Sequence, residues 1–295
     1  MLSELLYIAK KRDTRSLRFL VKSCLPTPWV SNTVFKKNYG RNINFSCPTL
    51  FDEKLMVIYS KDYCKNLLVK DCVDKYKVRD YISEWGYSET LNPLLDVYSK
   101  ASDIDINSYP SRFVIKTNHG CGMNIIVWDK SKINLSAETK KLDEWMKIDY
   151  GRISGELQYI GIQRHIMIEK FIETPGDELP VDFKFFCSRG KVICCLVITG
   201  RGRNKLRVFV DKNYDWLEIE KGVVVRDYKQ TRPDSYDNMW KMAGKLSQQF
   251  PFVRVDLYDV RGKIIFGELT FTPHGMVHNY MTLEAQKWLG DQIQM

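Results

Sequence analysis

No apolar stretch in this sequence is long enough to cross a bilayer: the longest runs only from Val192 to Ile198. The N-terminus also lacks the order of a secretion signal, because Lys10, Lys11 and Arg12 follow Leu5 and Leu6 instead of preceding an apolar core. Together these absences lead to the expectation of a cytoplasmic protein with no transmembrane segment. Eight cysteines are present, at positions 24, 47, 64, 72, 121, 187, 194 and 195, but no Cys-x-x-Cys occurs. Reduced, mostly buried thiols are therefore expected, with neither a zinc site nor a disulfide framework. Despite a net charge of +9, no run of five or more basic residues appears. The charge favours a phosphate-bearing or otherwise polyanionic partner without choosing one. There is no G-x-G-x-x-G, no Walker loop and no Ser-His-Asp pattern.

What remains is ordinary in bulk. The 295 residues suffice for two or three subdomains, and 44% apolar with 27% charged residues is a normal globular balance. The informative stretch is Phe252-Val253-Arg254-Val255-Asp256-Leu257-Tyr258, a turn around Val260-Arg261-Gly262, then Lys263 to Thr270. Both arms alternate apolar and polar residues, which predicts a β-hairpin. A three-residue turn sets Asp256 opposite Glu268, and Arg254 and Thr270 share their face because strand side chains repeat every second residue. Two carboxylates and a hydroxyl facing one way suit a hard cation such as Mg²⁺, and the adjacent guanidinium suits a phosphate. The competing reading is a surface hairpin with scattered charges.

Elsewhere, helical spacing is predicted over Ser3–Lys11 and Arg15–Lys22, with Pro26 and Pro28 stopping regular structure. A helix capped by Thr49 or Asp52 is expected to run to about Lys61, and another from about Val73 to Trp85. Strands are predicted at Arg112–Lys116 and Asn124–Trp128, joined by Thr117-Asn118-His119-Gly120-Cys121-Gly122-Met123. A loop with two glycines brings backbone N–H groups close to a phosphate, although such hairpin loops are common. A helix at Ala137–Lys147 and a mobile connection at Tyr150–Gly155 follow. Further strands are expected at Ile166–Ile172, Val181–Cys187, Lys191–Thr199 and Leu206–Val210. Helices over Pro233–Gln249 and Thr282–Leu289 complete the pattern. His274 and His278 are four apart, but Pro273 and Gly275 place them in a loop rather than on a helix that could present both to a metal.

In this order the segments resemble the ATP-grasp superfamily, and within it the TupA-like branch associated with teichuronopeptide and capsular-polysaccharide biosynthesis. The resemblance rests on Pro48-Thr49-Leu50-Phe51-Asp52-Glu53-Lys54-Leu55, Val73-Asp74-Lys75-Tyr76-Lys77-Val78-Arg79-Asp80-Tyr81, Ile115-Lys116-Thr117-Asn118-His119-Gly120 and Ile168-Glu169-Lys170-Phe171. Asp182-Phe183-Lys184-Phe185-Phe186, Phe250 to Asp256 and Gly267-Glu268-Leu269-Thr270-Phe271 complete it. It implies an α+β ATP-grasp fold in which two α+β subdomains clamp ATP. The division would be a mostly helical region over 1–100, a small subdomain with a phosphate-covering loop over 101–172, and a C-terminal subdomain with a Mg²⁺ site over 173–295.

The resemblance also implies roles. Lys116 and Lys184 would contact ATP phosphates, and the loop at His119, Gly120 and Gly122 would close over them. Glu169 and the backbone of Lys170 and Phe171 would hold adenine, and one of Glu173, Asp177 or Glu178 would reach ribose. Asp256, Glu268 and Thr270 would ligate Mg²⁺, with Thr270 where the superfamily usually has asparagine. Arg254 would sit at the transferred phosphoryl group, making Arg254 and Lys116 the catalytic pair. The activity implied is that of a carboxylate–amine ligase working through an acyl phosphate, with ATP and Mg²⁺ as cofactors and no nucleic acid as partner. Family context suggests a uronic-acid saccharide joined to an amino acid or amine, with Arg152, Arg201 and Arg203 as candidates for the sugar carboxylate. A non-catalytic basic module for anionic glycan or nucleic acid, or a kinase, are the alternative readings.

Overall fold

The structure, a computed structural model, describes residues 27–174, 178–200, 205–222 and 231–295. The helices expected at Ser3–Lys11 and Arg15–Lys22 lie outside the described residues, as do Asp177, Arg201 and Arg203. In chain order come α1 (Thr27–Tyr39), α2 (Phe51–Ile58), α3 (Leu67–Val73), α4 (Val78–Glu84), β1 (Leu94–Tyr98), β2 (Phe113–Thr117), β3 (Asn124–Val127), α5 (Leu135–Lys147) and α6 (Tyr150–Ser154). Then follow β4 (Ile166–Lys170), β5 (Val181–Ser188), β6 (Lys191–Thr199), β7 (Leu206–Val210), β8 (Trp216–Leu217), α7 (Tyr236–Leu246), β9 (Val253–Val260), β10 (Lys263–Thr270) and α8 (Leu283–Gln292). The class is α+β, in two compact units. Among described residues the first comprises Cys64–Tyr81 and Asn92–Ile172, and the second Thr27–Tyr63, Ile82–Leu91 and Glu173–Met295.

The first unit is built on an antiparallel sheet of order β1-β4-β2-β3. Alternation in Phe113-Val114-Ile115-Lys116-Thr117 buries Phe113, Ile115 and Thr117 on one face. There Phe113 and Ile115 meet Ile166 and Ile168 of β4 and Leu142 and Trp145 of α5 in one core. The single helix expected from Val73 to Trp85 is two: Asp74 Oδ1 accepts the N–H groups of Tyr76 at 2.9 Å and Lys77 at 3.4 Å, a local side-chain turn that competes with the helical ladder. The connection expected at Tyr150–Gly155 is the short helix α6, capped by Asp149 and ended by Gly155 at φ 78°.

The second unit is built on a six-stranded antiparallel sheet of order β10-β9-β5-β6-β7-β8. One face, carrying Phe183, Phe185, Val253, Val255 and Leu257, is apolar; the Tyr236 ring of α7 packs at a tilt against Phe183 and Phe185, with centroids 6.3 and 5.9 Å away. The other face carries the polar residues of β5, β7, β9 and β10. Pro28 does not stop structure, because it falls in the first turn of α1, where a missing N–H costs no helical bond. Neither Thr49 nor Asp52 caps α2. Its N-terminus is closed by Glu53, which accepts from Thr49 N at 2.9 Å, while Asp52 is claimed by Tyr39 and His278. Regular α-helix ends there at Ile58 and passes into a π turn over Tyr59–Tyr63.

Candidate active site

The hairpin β9–β10 turns in two residues, not three. Arg261 (φ 54°) and Gly262 (φ 83°) both adopt the left-handed region, the geometry that matches the natural twist of paired strands. Pairing then runs from Val260↔Lys263 to Leu257↔Phe266, a register that would continue by setting Val255 opposite Glu268. It does not continue: a bulge between Phe266 and Glu268 moves the alignment by one, giving Asp256↔Glu268 and Arg254↔Thr270. Gly267 is the extra residue. A Cβ there would stand 2.9 Å from Asp256 O and 3.1 Å from a ring carbon of Tyr258, so the bulge has room only for glycine. One small residue therefore turns both acids to the same side.

β5 extends this row, since Lys184 pairs with Asp256 and Asp182 with Tyr258. Arg254 donates to Asp256 through Nε and Nη2, each at 2.7 Å, and Lys184 Nζ donates to Asp256 Oδ2. Arg254 Nη2 also reaches Thr270 Oγ1 at 3.1 Å and Glu268 Oε1 at 3.4 Å, and Thr270 Oγ1 donates to Glu268 Oε1 at 3.2 Å. Asp256 is 1% exposed and Arg254 9%, so the network is dry apart from the Glu268 edge. Burial alone would raise the proton affinity of Asp256, but Arg254 and Lys184 outweigh it and hold the carboxyl below its usual value. For Arg254, burial is likewise outweighed by Asp256, Glu268 and Asp182, and the guanidinium holds its proton more tightly than usual.

The side chain of Glu268 is 45% exposed, so this carboxylate stands at the open edge of the network. Asp256, Glu268 and Thr270 together offer oxygen donors of the kind hard cations take. Among the described residues no cluster of three or more His, Cys, Asp or Glu side chains is arranged to hold a metal by itself.

The first unit gathers the other candidates. Lys116 Nζ lies 2.6 Å from Glu169 Oε2, which also accepts from Asn92 Nδ2 at 3.1 Å. The N–H of Lys170 donates to Pro93 O at 3.0 Å and its carbonyl accepts from Asn92 at 2.8 Å, so both backbone groups are engaged. Phe171 packs at a tilt against Trp128, 4.9 Å between centroids, under the Arg112 guanidinium. In the loop after β2, His119 turns inward: it is 2% exposed and its Nε2 lies 3.2 Å from Trp145 O. Burial, then Arg164 and Lys75, lower its pKa to about 4. Gly120 is pressed against Met123 and Tyr150 where no side chain fits, whereas Gly122 (φ 73°) stands open. Glu173 and Glu178 lie in the loop after β4. Arg152 is exposed and paired with Asp149 at 3.2 Å.

Sequence reasoning overlooked a third group, in the second unit. Arg207 on β7 pairs with Ile198, which pairs with Asp182, so its side chain stands on the same sheet face as Arg254 and Asp256. Its guanidinium lies over the Tyr280 ring at 4.6 Å and 2.7 Å from Glu220 Oε1. The His274 ring meets Tyr280 at a tilt, 5.1 Å between centroids, and His278 edge-on at 5.5 Å. His278 is fully buried, with Nδ1 2.6 Å from Asp52 Oδ1 and its backbone N–H donating to Asp52 Oδ2 at 2.7 Å. Alternation of β7 gave a signal for Arg207's face, but nothing in it distinguished Arg207 from a solvated edge.

The model of a family described as TupA-like ATPgrasp matches residues 53–294. The chain belongs to that family. No curated protein matches its sequence. Solved structures similar to this ATP-grasp chain include a D-alanine–D-alanine ligase from Bacillus anthracis complexed with ATP, at 14% identity and a TM-score of 0.48, covering 76% of this chain and 66% of that one. An L-amino acid ligase from Bacillus licheniformis gives 15%, 0.45, 70% and 44% for the same quantities. An N5-carboxyaminoimidazole synthetase from Staphylococcus aureus gives 12%, 0.41, 75% and 52%. The chain spans less than two thirds of the length of each. Among its described residues, no helix is long and apolar enough to cross a membrane.

Proposed function

We propose that this ATP-grasp chain is an ATP-dependent carboxylate–amine ligase that joins an amino acid or amine to a uronic-acid saccharide. The observation that carries the reading is the dry network in which Arg254 and Lys184 share the Asp256 carboxylate beside Glu268 and Thr270. Such chemistry needs no protein nucleophile. It needs positive charge at a transferring phosphoryl group and alignment of the reactants.

In this reading the carboxylate substrate attacks the γ-phosphorus of ATP, ADP leaves, and the amine then displaces phosphate from the acyl phosphate. Arg254 and Lys184 serve the transferring group, while the family resemblance gives Lys116 a nucleotide phosphate and Glu169 and Phe171 the base. Asp256, Glu268 and Thr270 fit a Mg²⁺ ion, which when bound neutralises phosphate charge. Glu268 is the residue best disposed to accept it, because its side chain is partly exposed while both oxygens of Asp256 already carry cations. The gathered cations and the net charge of +9 agree with an anionic acceptor.

The test is ADP release with D-glucuronate or D-galacturonate and a panel of amino acids, followed by mass spectrometry of the product. An amide that requires ATP supports the reading. ATP consumption yielding a stable phosphorylated sugar would make the protein a kinase, and Mg-ATP failing to raise the melting temperature would remove the nucleotide reading altogether.

A further inference from the structure

The polar face of the six-stranded sheet has a second cationic centre. Arg207 Nε and Nη2 are buried and make no geometrically aligned hydrogen bond, although Nη2 is ion-paired with Glu220 Oε1 at 2.7 Å. Buried donors left unmatched in a native fold call for an acceptor, and a guanidinium fork fits the two oxygens of a carboxylate. The Tyr280 ring lies between Arg207 at 4.6 Å and His274 at 5.1 Å. His274 is exposed, and it adopts the left-handed region (φ 50°), as do Gly275 and Met276 after it.

This arrangement is braced from two sides. The segment around Glu220 is tied to the loop by Lys221 N to Tyr280 O and Thr282 N to Ile219 O, both at 2.9 Å. Asp52 grips His278 through both ring and backbone, and leaves the buried His278 Nε2 without a partner in the ring cluster. Partial burial, His278, Arg207, Arg254 and Lys205 together lower the His274 pKa to about 4. The imidazole is therefore neutral at pH 7, in surroundings that favour a negative charge beside it and disfavour a positive one on it. A proton-accepting role for His274 would place charge where it is least welcome, whereas donation of a ring N–H to an oxyanion would not.

We propose that Arg207 and His274 form the binding site for the substrate's carboxylate, with Arg207 taking its two oxygens and His274 donating to one of them. Tyr280 spaces the two, while His278, held by Asp52, positions His274. This deepens the ligase reading and rests on it for the fate of the bound group, but the anion site can be examined without turnover.

The protein has four histidines, so ring-proton NMR resolves them, and His274→Gln identifies the His274 signal by its disappearance. Acetate, D-glucuronate and D-galacturonate are titrated in turn to about 50 mM, enough to saturate a site of millimolar Kd. The expected result is a saturable shift of the His274 signal with at least one of them, and a rise of its pKa by about one unit, since a nearby anion favours the charged ring. In Arg207→Ala both changes disappear while the His119 signal is unmoved. Asp52→Asn keeps Arg207 and weakens the shift without abolishing it. Absence of a saturable shift with all three carboxylates overturns the proposal, as does a shift that survives Arg207→Ala. Inorganic phosphate acting at lower concentration than any carboxylate would reassign the site to a phosphate and also overturn it. A clear carboxylate response with no Mg-ATP stabilisation would leave this site standing and sink the ligase reading instead.

Discussion

Replacing Asp256 by asparagine is the sharpest perturbation of the buried network. The carboxylate is 1% exposed and receives Arg254 through two bonds of 2.7 Å and Lys184 through a third. Two unit charges about 4 Å apart attract by roughly 4 kcal/mol at an effective dielectric constant of about 20. Desolvation offsets much of that in the intact network, but not in the variant, where two buried cations keep their desolvation cost and lose their anion. Breaking such a pair costs about 3–5 kcal/mol, against a total stability of about 5–15 kcal/mol. At about 2–4 °C per kcal/mol, the melting temperature should fall by roughly 6–20 °C in a circular-dichroism melt at pH 7. The control is Arg254→Leu/Asp256→Leu, in which both charges of the bidentate pair go. Apolar replacement of a buried pair is often neutral, so the double variant should recover part of the loss, with Lys184 keeping Asp182 at 3.6 Å as its remaining anion. A melting temperature within about 2 °C of wild type for Asp256→Asn would refute the reasoning, given that per-kcal scale. A double variant as unstable as the sum of its singles would do the same.

Glu268→Gln, at the half-open edge, should leave the melting temperature within about 2 °C of wild type and remove most ADP release; full turnover would discard the metal assignment. Asp52→Asn should destabilise by about 2–4 kcal/mol in urea unfolding, because Tyr39 Oη, His278 Nδ1 and the His278 N–H all donate to that carboxylate. For His119, the folded pKa of about 4 lies below the unfolded value near 6.5, so the unfolded chain binds more protons between them. Its contribution, about 3 kcal/mol as an upper figure, is complete above pH 6.5 and lost as pH falls towards 4. Unfolding midpoints of wild type and His119→Gln should accordingly converge as the pH is lowered from 7 to 4.5, and parallel curves would disprove the assignment.

Much of the sheet framework could be read from local pattern: β2, β5, β7, β9 and β10 from alternation, and β3 and β6 from short apolar runs. The short strands β1 and β8 could not, since Leu94–Tyr98 and Trp216–Leu217 are too brief and mixed to carry a period. Pro28 and Asp74 misled for opposite reasons: the proline sits where a helix tolerates it, and the aspartate forms a turn where periodicity suggests helix. The Asp52–His278 pair joins residues 226 positions apart, a relation no local pattern encodes. Arg207 was visible as a polar residue in a strand, but its importance depends on Tyr280 and Glu220, which arrive from elsewhere in the chain.

The placement of Asp256 against Glu268 is a question of odd and even counting. The chain between them carries one residue more than a tight hairpin can use, and the surplus has to be absorbed somewhere. Here the strand absorbs it at Gly267, leaving a compact turn and a kink immediately beside the acid that stands at the edge. Moving the surplus into the turn, by adding one residue after Val260 and deleting Gly267, would bring the same two acids face to face with no glycine needed. A single added residue that neither the turn nor the strand absorbed would send Glu268 to the apolar side and leave Asp256 alone with its cations.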